Sequence, residues 1–317
     1  MAEMAASITA DPLRTERRLL GIALRMGAVL CFAIMAGALK LAAEAGVSTL
    51  ELIFYRNLFS APLILAWLAL GPGFGKLRTK RPGAHLTRAA IGLISMMLNF
   101  QAIVMLPLAE ATTIGFAAPL FATMLSAVIL GERVGRHRWI AAAIGFLGVI
   151  LVMRPGGALP GGSLPADGLA VAVLAAIGVA SVVITLRQIG ATEHPATTVF
   201  WFNIASLAVV SLPMPFIAQP IPAGLWPILV LMGMIGGLAQ ILMTSSLSQA
   251  PVAVLAPFDY FQLLWASIIA WLLWSRGPSL ATLAGGALIA GSGIYTAYRE
   301  HRLHRRELAA MSTPPGL

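Results

Sequence analysis

Cysteine is almost absent from this chain: Cys31 is the only one in 317 residues. A lone thiol excludes a disulfide framework and any cysteine-based metal site. Acidic residues are scarce too. There are 12 Asp and Glu, and charged residues of both signs make up 10% of the chain, against about 25% in a soluble domain. The five histidines (His85, His137, His194, His301 and His304) are scattered at or beyond the ends of apolar runs, so no metal site and no cofactor is expected. What fills the chain is apolar: 59% hydrophobic residues, with a mean hydropathy of +0.88. That is the composition of a polytopic membrane protein. The net charge of +9 would suit nucleic acid, but the basic residues sit in short loops and tails, so no nucleic-acid partner is expected.

Apolar runs long enough to cross a hydrocarbon core predict ten spans, near 20–43, 49–70, 86–106, 110–130, 136–153, 167–188, 197–217, 224–247, 252–274 and 279–298. The polar stretch 1–18, with Arg14, Arg17 and Arg18, precedes a run too long for a signal-peptide core, so it reads as a cytoplasmic tail on a retained first span. Short breaks at 43–49, 106–110 and 247–252 make their flanking helices antiparallel neighbours. With the N-terminus inside, 17 Lys and Arg fall on inner segments, Arg25 and Arg88 among them, and only Arg154 and Arg276 on outer loops. This bias predicts an inner-membrane protein with both termini cytoplasmic, 299–317 being the second tail.

One run differs from the rest. Val252 to Trp274 spans a membrane in length, yet Ala256-Pro257-Phe258-Asp259-Tyr260 places a proline and a carboxylate inside it. A charge there costs roughly 2.5–3.5 kcal/mol on insertion scales, and proline frees a carbonyl that a neighbour must satisfy. Both are tolerable where Asp259 faces a polar cavity. The Gly/Pro-rich segment 154–166, read as a periplasmic linker, divides the chain near its middle. Phe54-Tyr55-Arg56-Asn57 before it corresponds to Phe200-Trp201-Phe202-Asn203 after it, and Ala118-Pro119-Leu120 to Ala256-Pro257-Phe258. An odd number of spans per copy means that the second copy enters from the opposite side. The expected fold is therefore an all-α membrane protein of two inverted five-helix repeats, 20–153 and 167–298.

These features carry a resemblance along nearly the whole chain. The 5+5 layout, Phe54-Tyr55-Arg56-Asn57, the segment Pro107 to Pro119, Gly131-Glu132-Arg133, Ala256 to Tyr260 and a glycine-rich last span resemble the EamA-type transporters of the drug/metabolite transporter superfamily. Within it, the chain is similar to a branch that includes S-adenosylmethionine uptake carriers. Trp274-Ser275-Arg276 departs from the second Gly-Glu that many members carry. The resemblance implies a carrier working by alternating access around a midplane site.

Asp259 is the first candidate, either as a contact for a substrate cation or proton or as a structural aspartate beside a proline kink. Arg56 suits a carboxylate or phosphate held bidentately; snorkelling, or pairing with Glu51 or Glu110, is the structural alternative. Glu110 opens span 4, where the helix dipole favours an acid. Lys40 and Glu44 are one turn apart, as a gate or as a simple pair. Asn57, Asn99, Gln101, Asn203, Gln240 and Gln262 would be costly facing lipid, and with Tyr55, Trp201, Tyr260 and Trp265 they suggest a polar, aromatic-lined chamber. Pro119 and Pro257 are the expected hinges.

Other chemistries lack their residues. Gly71 to Lys76 has no Walker spacing, and Ala290-Gly-Ser-Gly293 has no mid-span histidine to serve as its base, so no catalytic residue is expected. Paired aspartates for a metal-dependent transferase and a filter-like loop for a channel are both missing. The sequence thus predicts a non-enzymatic secondary carrier of a small amphipathic metabolite, an amino acid or an S-adenosylmethionine-like molecule, proton-coupled or working by exchange. A drug/metabolite exporter, or a carrier for a nucleotide-sugar or lipid-like substrate, is the alternative. The expected partners are that substrate and the bilayer, as monomer or homodimer.

Overall fold

Prolines and serines mark where the helices start. Pro82 and Pro195 each occupy a first helical position, where the missing N–H costs nothing. Ser48 opens another helix through a reciprocal box: its backbone N–H donates to Glu51 Oε2 at 2.9 Å, and its hydroxyl accepts from the Glu51 N–H. The computed structural model describes residues 12–129, 136–152, 164–190, 192–250, 252–275 and 277–311. Glu132, Arg133, Arg154, the glycine-rich part of the central linker and Arg276 lie outside these residues.

Every regular element among the described residues is helical. In chain order these are α1 (Pro12–Glu44), α2 (Thr49–Leu70), α3 (Pro82–Met105), α4 (Leu108–Gly115), α5 (Ala118–Ile129), α6 (Arg136–Val152) and α7 (Ala166–Gly190). Then follow α8 (Pro195–Ser211), the single turn α9 (Met214–Ile217), α10 (Trp226–Gln249), α11 (Val252–Asp259), α12 (Phe261–Trp274) and α13 (Leu280–Met311). Five stretches are long and apolar enough to cross a membrane: Arg18–Glu44, Thr49–Leu70, Pro82–Met105, Ala166–Leu186 and Ala223–Ser246. Five shorter apolar helices accompany them.

The expected spans fall on these helices, three of them broken or cut short, while α1 and α3 begin earlier and α13 runs on beyond 298. The run at 110–130 is two helices broken at Phe116-Ala117, and the run at 252–274 is two helices broken at Tyr260. The run at 197–217 stops at Ser211, two residues before Pro213. The breaks also correct the proline register. Pro119 is the second residue of α5, just after its break, whereas Pro257 lies within α11, three residues before the other. The better correspondence is between helix starts: Leu108 with Val252, and Pro82 with Trp226, both 144 residues apart. In that register α4 and α11, eight residues each, end at equivalent places. The two breaks meet: the Phe116 and Tyr260 rings pack with centroids 5.2 Å apart.

Packing crosses between the first and second halves of the chain. α1 lies along α10 and α3 along α7, while α2 packs on α8 and α6 on α13. Lipid gives apolar helices no reason to associate, so close contact must come from small residues. At the α6–α13 crossing a Cβ on Gly148 would lie 2.6 Å from the Gly285 carbonyl oxygen, and one on Gly285 2.5 Å from that of Gly148. Gly233 and Gly237 are used in the same way within the chain, against Phe59 and Ser60 of α2. Leu39, Leu52, Ile53, Leu106, Leu108, Ile114, Leu229 and Met232 form the centre of the main core.

Candidate functional site

Asp259 is the last residue of α11, where the helix dipole presents partial negative charge and disfavours a carboxylate. A guanidinium offsets both. Arg25 of α1 donates from Nε to Asp259 Oδ1 at 2.5 Å and from Nη2 to Oδ2 at 2.6 Å, a bidentate fork. The Arg25 side chain is 9% exposed and that of Asp259 33%. The pair ties the start of the chain to the broken helix near its end. An apolar run starting near residue 20 makes Arg25 an interfacial cation; α1 begins at Pro12, which puts Arg25 in mid-helix.

Arg56 lies in α2, buried to 5% exposure. Its Nη1 donates to Asn57 Oδ1 at 2.9 Å, its Nε has no partner, and no carboxylate pairs with it among the described residues. Asn57 also accepts from Asn203 Nδ2 of α8 at 3.3 Å, and Asn203 donates to Ser60 Oγ at 2.6 Å. These groups form a buried polar layer where α2 crosses α8. Asn57 and Asn203 are 146 residues apart, as are the starts of their helices, so equivalent positions touch. Glu51, one expected partner for Arg56, is occupied elsewhere: it caps α2 and accepts from the Gln219 N–H at 2.8 Å.

A third arginine escaped the sequence reading. An apolar run beginning at 86 puts Arg88 in the first turn of its span. Because Pro82 starts α3, Arg88 is a turn further in, 6% exposed, with its Cζ 4.5 Å from the centre of the Phe202 ring. The signal was the proline itself, a strong helix starter four residues ahead of the apolar run.

At the end of the bundle where α1 joins α2, Lys40 Nζ donates to the carbonyls of Ile103 and Leu106 at 2.9 and 2.7 Å, capping the negative end of α3. Glu44 accepts from Trp274 Nε1 of α12 at 2.7 Å. Glu110, 1% exposed, accepts from Thr282 Oγ1 of α13 at 3.0 Å. Lys40, Glu44, Pro107 and Trp274 line a cavity of about 170 Å³ here.

The opposite end carries a strap. The segment between α2 and α3 lies over the start of α8: Thr197 Oγ1 donates to the Lys76 carbonyl at 2.5 Å, Trp201 Nε1 to that of Leu77 at 3.1 Å, and Arg81 Nη1 to Thr192 Oγ1 at 3.0 Å. Thr79 donates to Glu193 Oε1 at 2.9 Å, and His85 Nε2 approaches Glu193 Oε2 at 3.5 Å. Desolvation pushes the Glu193 carboxyl up, but the hydrogen bond from Thr79, the nearby His85 and the Lys80 backbone outweigh it. The carboxyl therefore titrates below its usual range.

The remaining candidates are dispersed. Tyr55 belongs to an aromatic group with Phe59 and Trp226 rather than to the α2–α8 layer, and Trp201 to the strap. Tyr260 packs on Phe116, its hydroxyl against Gly293. Gln101 accepts from Thr49 at 2.5 Å; Asn99, Gln240 and Gln262 are half-buried, and the half-buried Trp265 has a partnerless Nε1.

The sequence profile of the EamA-like transporter family matches residues 19–154 and again 167–298. The pseudopaline exporter CntI of Pseudomonas aeruginosa is 28% identical over 85% of this chain and 93% of its own. The S-adenosylmethionine uptake transporter of Rickettsia felis is 26% identical over 81% and 85%, and a transporter of uncharacterized function from Helicobacter pylori 28% identical over 88% and 95%. A solved crystal structure shares the fold with a TM-score of 0.62 at 21% identity, over 89% of this chain and 98% of that one.

Proposed function

The chain belongs to the EamA-like transporter family, and from that premise we propose that it is a secondary carrier for a small metabolite whose acidic group is held by Arg56. The bundle is read as ten spans in two inverted five-helix repeats in a bacterial inner membrane, with both termini cytoplasmic. Equivalent positions that meet, Asn57 with Asn203 and Phe116 with Tyr260, support that reading, as does the reciprocal packing of α1 on α10 and α3 on α7. The outer gate is then the Lys40, Glu44 and Trp274 end, and the inner gate the Arg25–Asp259 pair with the strap above it.

One observation carries the substrate class. A guanidinium inside a membrane protein is stable only when paired or hydrogen-bonded, and among the described residues the buried Arg56 has no partner for its Nε and no carboxylate paired with it. An incoming carboxylate supplies the missing charge. A cationic group on the same molecule would compete with Arg25 for Asp259, coupling loading to opening of the inner gate. Relatives named for S-adenosylmethionine uptake and for pseudopaline export support a charged metabolite in either direction.

Proteoliposomes with Arg56→Lys and Arg56→Gln test this, with S-adenosylmethionine as the first probe and a metabolite library behind it. The acid's affinity is expected to fall about 10- to 100-fold in Arg56→Gln, as for loss of a charge-assisted hydrogen bond of about 1.5–3 kcal/mol, and less in Arg56→Lys. Wild-type transport of every acidic probe by Arg56→Gln refutes the assignment.

A further inference from the structure

Arg88 repeats at the crossing of α3 with α8 what Arg56 does at the crossing of α2 with α10. Gly92 and Gly236 are 144 residues apart, the same spacing as the starts of α3 and α10, so they occupy equivalent places. A Cβ on Gly236 would lie 3.4 Å from Arg56 Nε. A Cβ on Gly92 would strike Arg88 Nη1 and lie 2.7 Å from Phe202. Phe202 itself stands where Arg56 stands in the other copy, 146 residues on. Where the second copy has lost the arginine of its second helix, α3 supplies one from Arg88, laid over the replacing ring. The equivalent crossings of α2 with α10 and of α8 with α3 therefore each set one buried guanidinium over the same glycine, reached from a different helix.

The two share a deficit. Arg88 is 6% exposed, its Nε and Nη1 have no hydrogen-bond partner, and no carboxylate pairs with it among the described residues. The Phe202 face offers it about 0.5–2 kcal/mol, whereas stripping water from an ion costs several. Two guanidinium groups of the same kind over equivalent glycines call for two anionic groups. We infer that Arg88 is a second acid-binding position, and that the transported metabolite carries two carboxylates, one for each of these crossings. This rests on the reading of Arg56 as an acid-binding residue and extends it to the substrate class.

Arginine labelling separates the two claims. Purified protein is treated with phenylglyoxal, with glutarate or butyrate present, and adducts at Arg56 and Arg88 are followed by peptide mass spectrometry. Glutarate at about four times its dissociation constant is expected to slow labelling about fivefold at both positions by mass action; butyrate at the same concentration protects both far less. Protection of Arg56 with Arg88 labelling unchanged, or no adduct at Arg88 at all, overturns the inference and leaves the Arg56 reading standing. Protection at neither overturns both. The same measurement on Arg88→Lys, which keeps the charge but not the fork, is expected to leave the protein folded and to reduce glutarate's protection of Arg56 to that given by butyrate; unreduced protection also overturns the inference.

Discussion

Asp259→Asn keeps the size of the side chain and removes its charge, leaving Arg25 with a neutral partner at the end of α11. Removing one member of a buried ion pair costs about 3–5 kcal/mol. Here Arg25 is 9% exposed and Asp259 33%, so solvent screening brings the expected loss to about 2–3 kcal/mol. If the pair closes the inner gate, that energy moves the closed-to-open ratio by about 30- to 150-fold. Spin-label distances between the starts of α1 and α11, measured in nanodiscs of the Cys31→Ser background, read the shift directly. Arg25→Gln is expected to give a similar opening, and the double variant no more than either single, because the interaction can be lost only once. Exchanging the residues, Arg25→Asp with Asp259→Arg, is expected to restore part of the closed population. A coupling energy under about 0.5 kcal/mol, within the additivity expected of independent sites, together with unchanged distances in both single variants, would refute the gate.

Three further outcomes follow from the packing and the strap. Gly148→Leu places a side chain where the Gly285 carbonyl oxygen lies 2.6 Å from a first carbon; overpacking of this kind costs about 1–3 kcal/mol or more, and the melting temperature in detergent is expected to fall accordingly. Asn203→Leu removes the donor to Ser60 and Asn57 in the buried layer and is expected to cost about 1–3 kcal/mol, read by the same melt, with Ser60→Ala adding little to it. The Glu193 carboxyl is held below its ordinary value, so its contribution is fully present above the unfolded carboxylate value of about 4.3. It is lost as pH falls through the lowered folded value. Hydrogen exchange of segment 71–81 is expected to accelerate over that range in the wild type, and Glu193→Gln to abolish the pH dependence.

Length, hydropathy and proline placement made most of the helices legible in the sequence, because a backbone in lipid must bond to itself and so reveals itself as long apolar runs. The internal repeat is also visible in Asn57 and Asn203, at the spacing of their helix starts, but its register in the broken spans is not. Ala118-Pro119 and Ala256-Pro257 look alike, yet the chain breaks before one proline and after the other, where Phe116 and Tyr260 meet. Arg56 was picked out as a buried cation from its position in a run.

The partner of Asp259 was out of reach, since Arg25 lies 234 residues away, and no local pattern encodes which helix end faces which. Arg88 was misplaced by one turn, enough to turn an inward guanidinium into an apparent interfacial charge. The sequence by itself determined that this chain lives in a bilayer, where its helices run, and which few polar residues are costly there. Only the tertiary structure decided which of those residues satisfy one another and which have polar atoms left without a partner among the described residues, because pairing depends on helix crossings set by glycine contacts between distant segments.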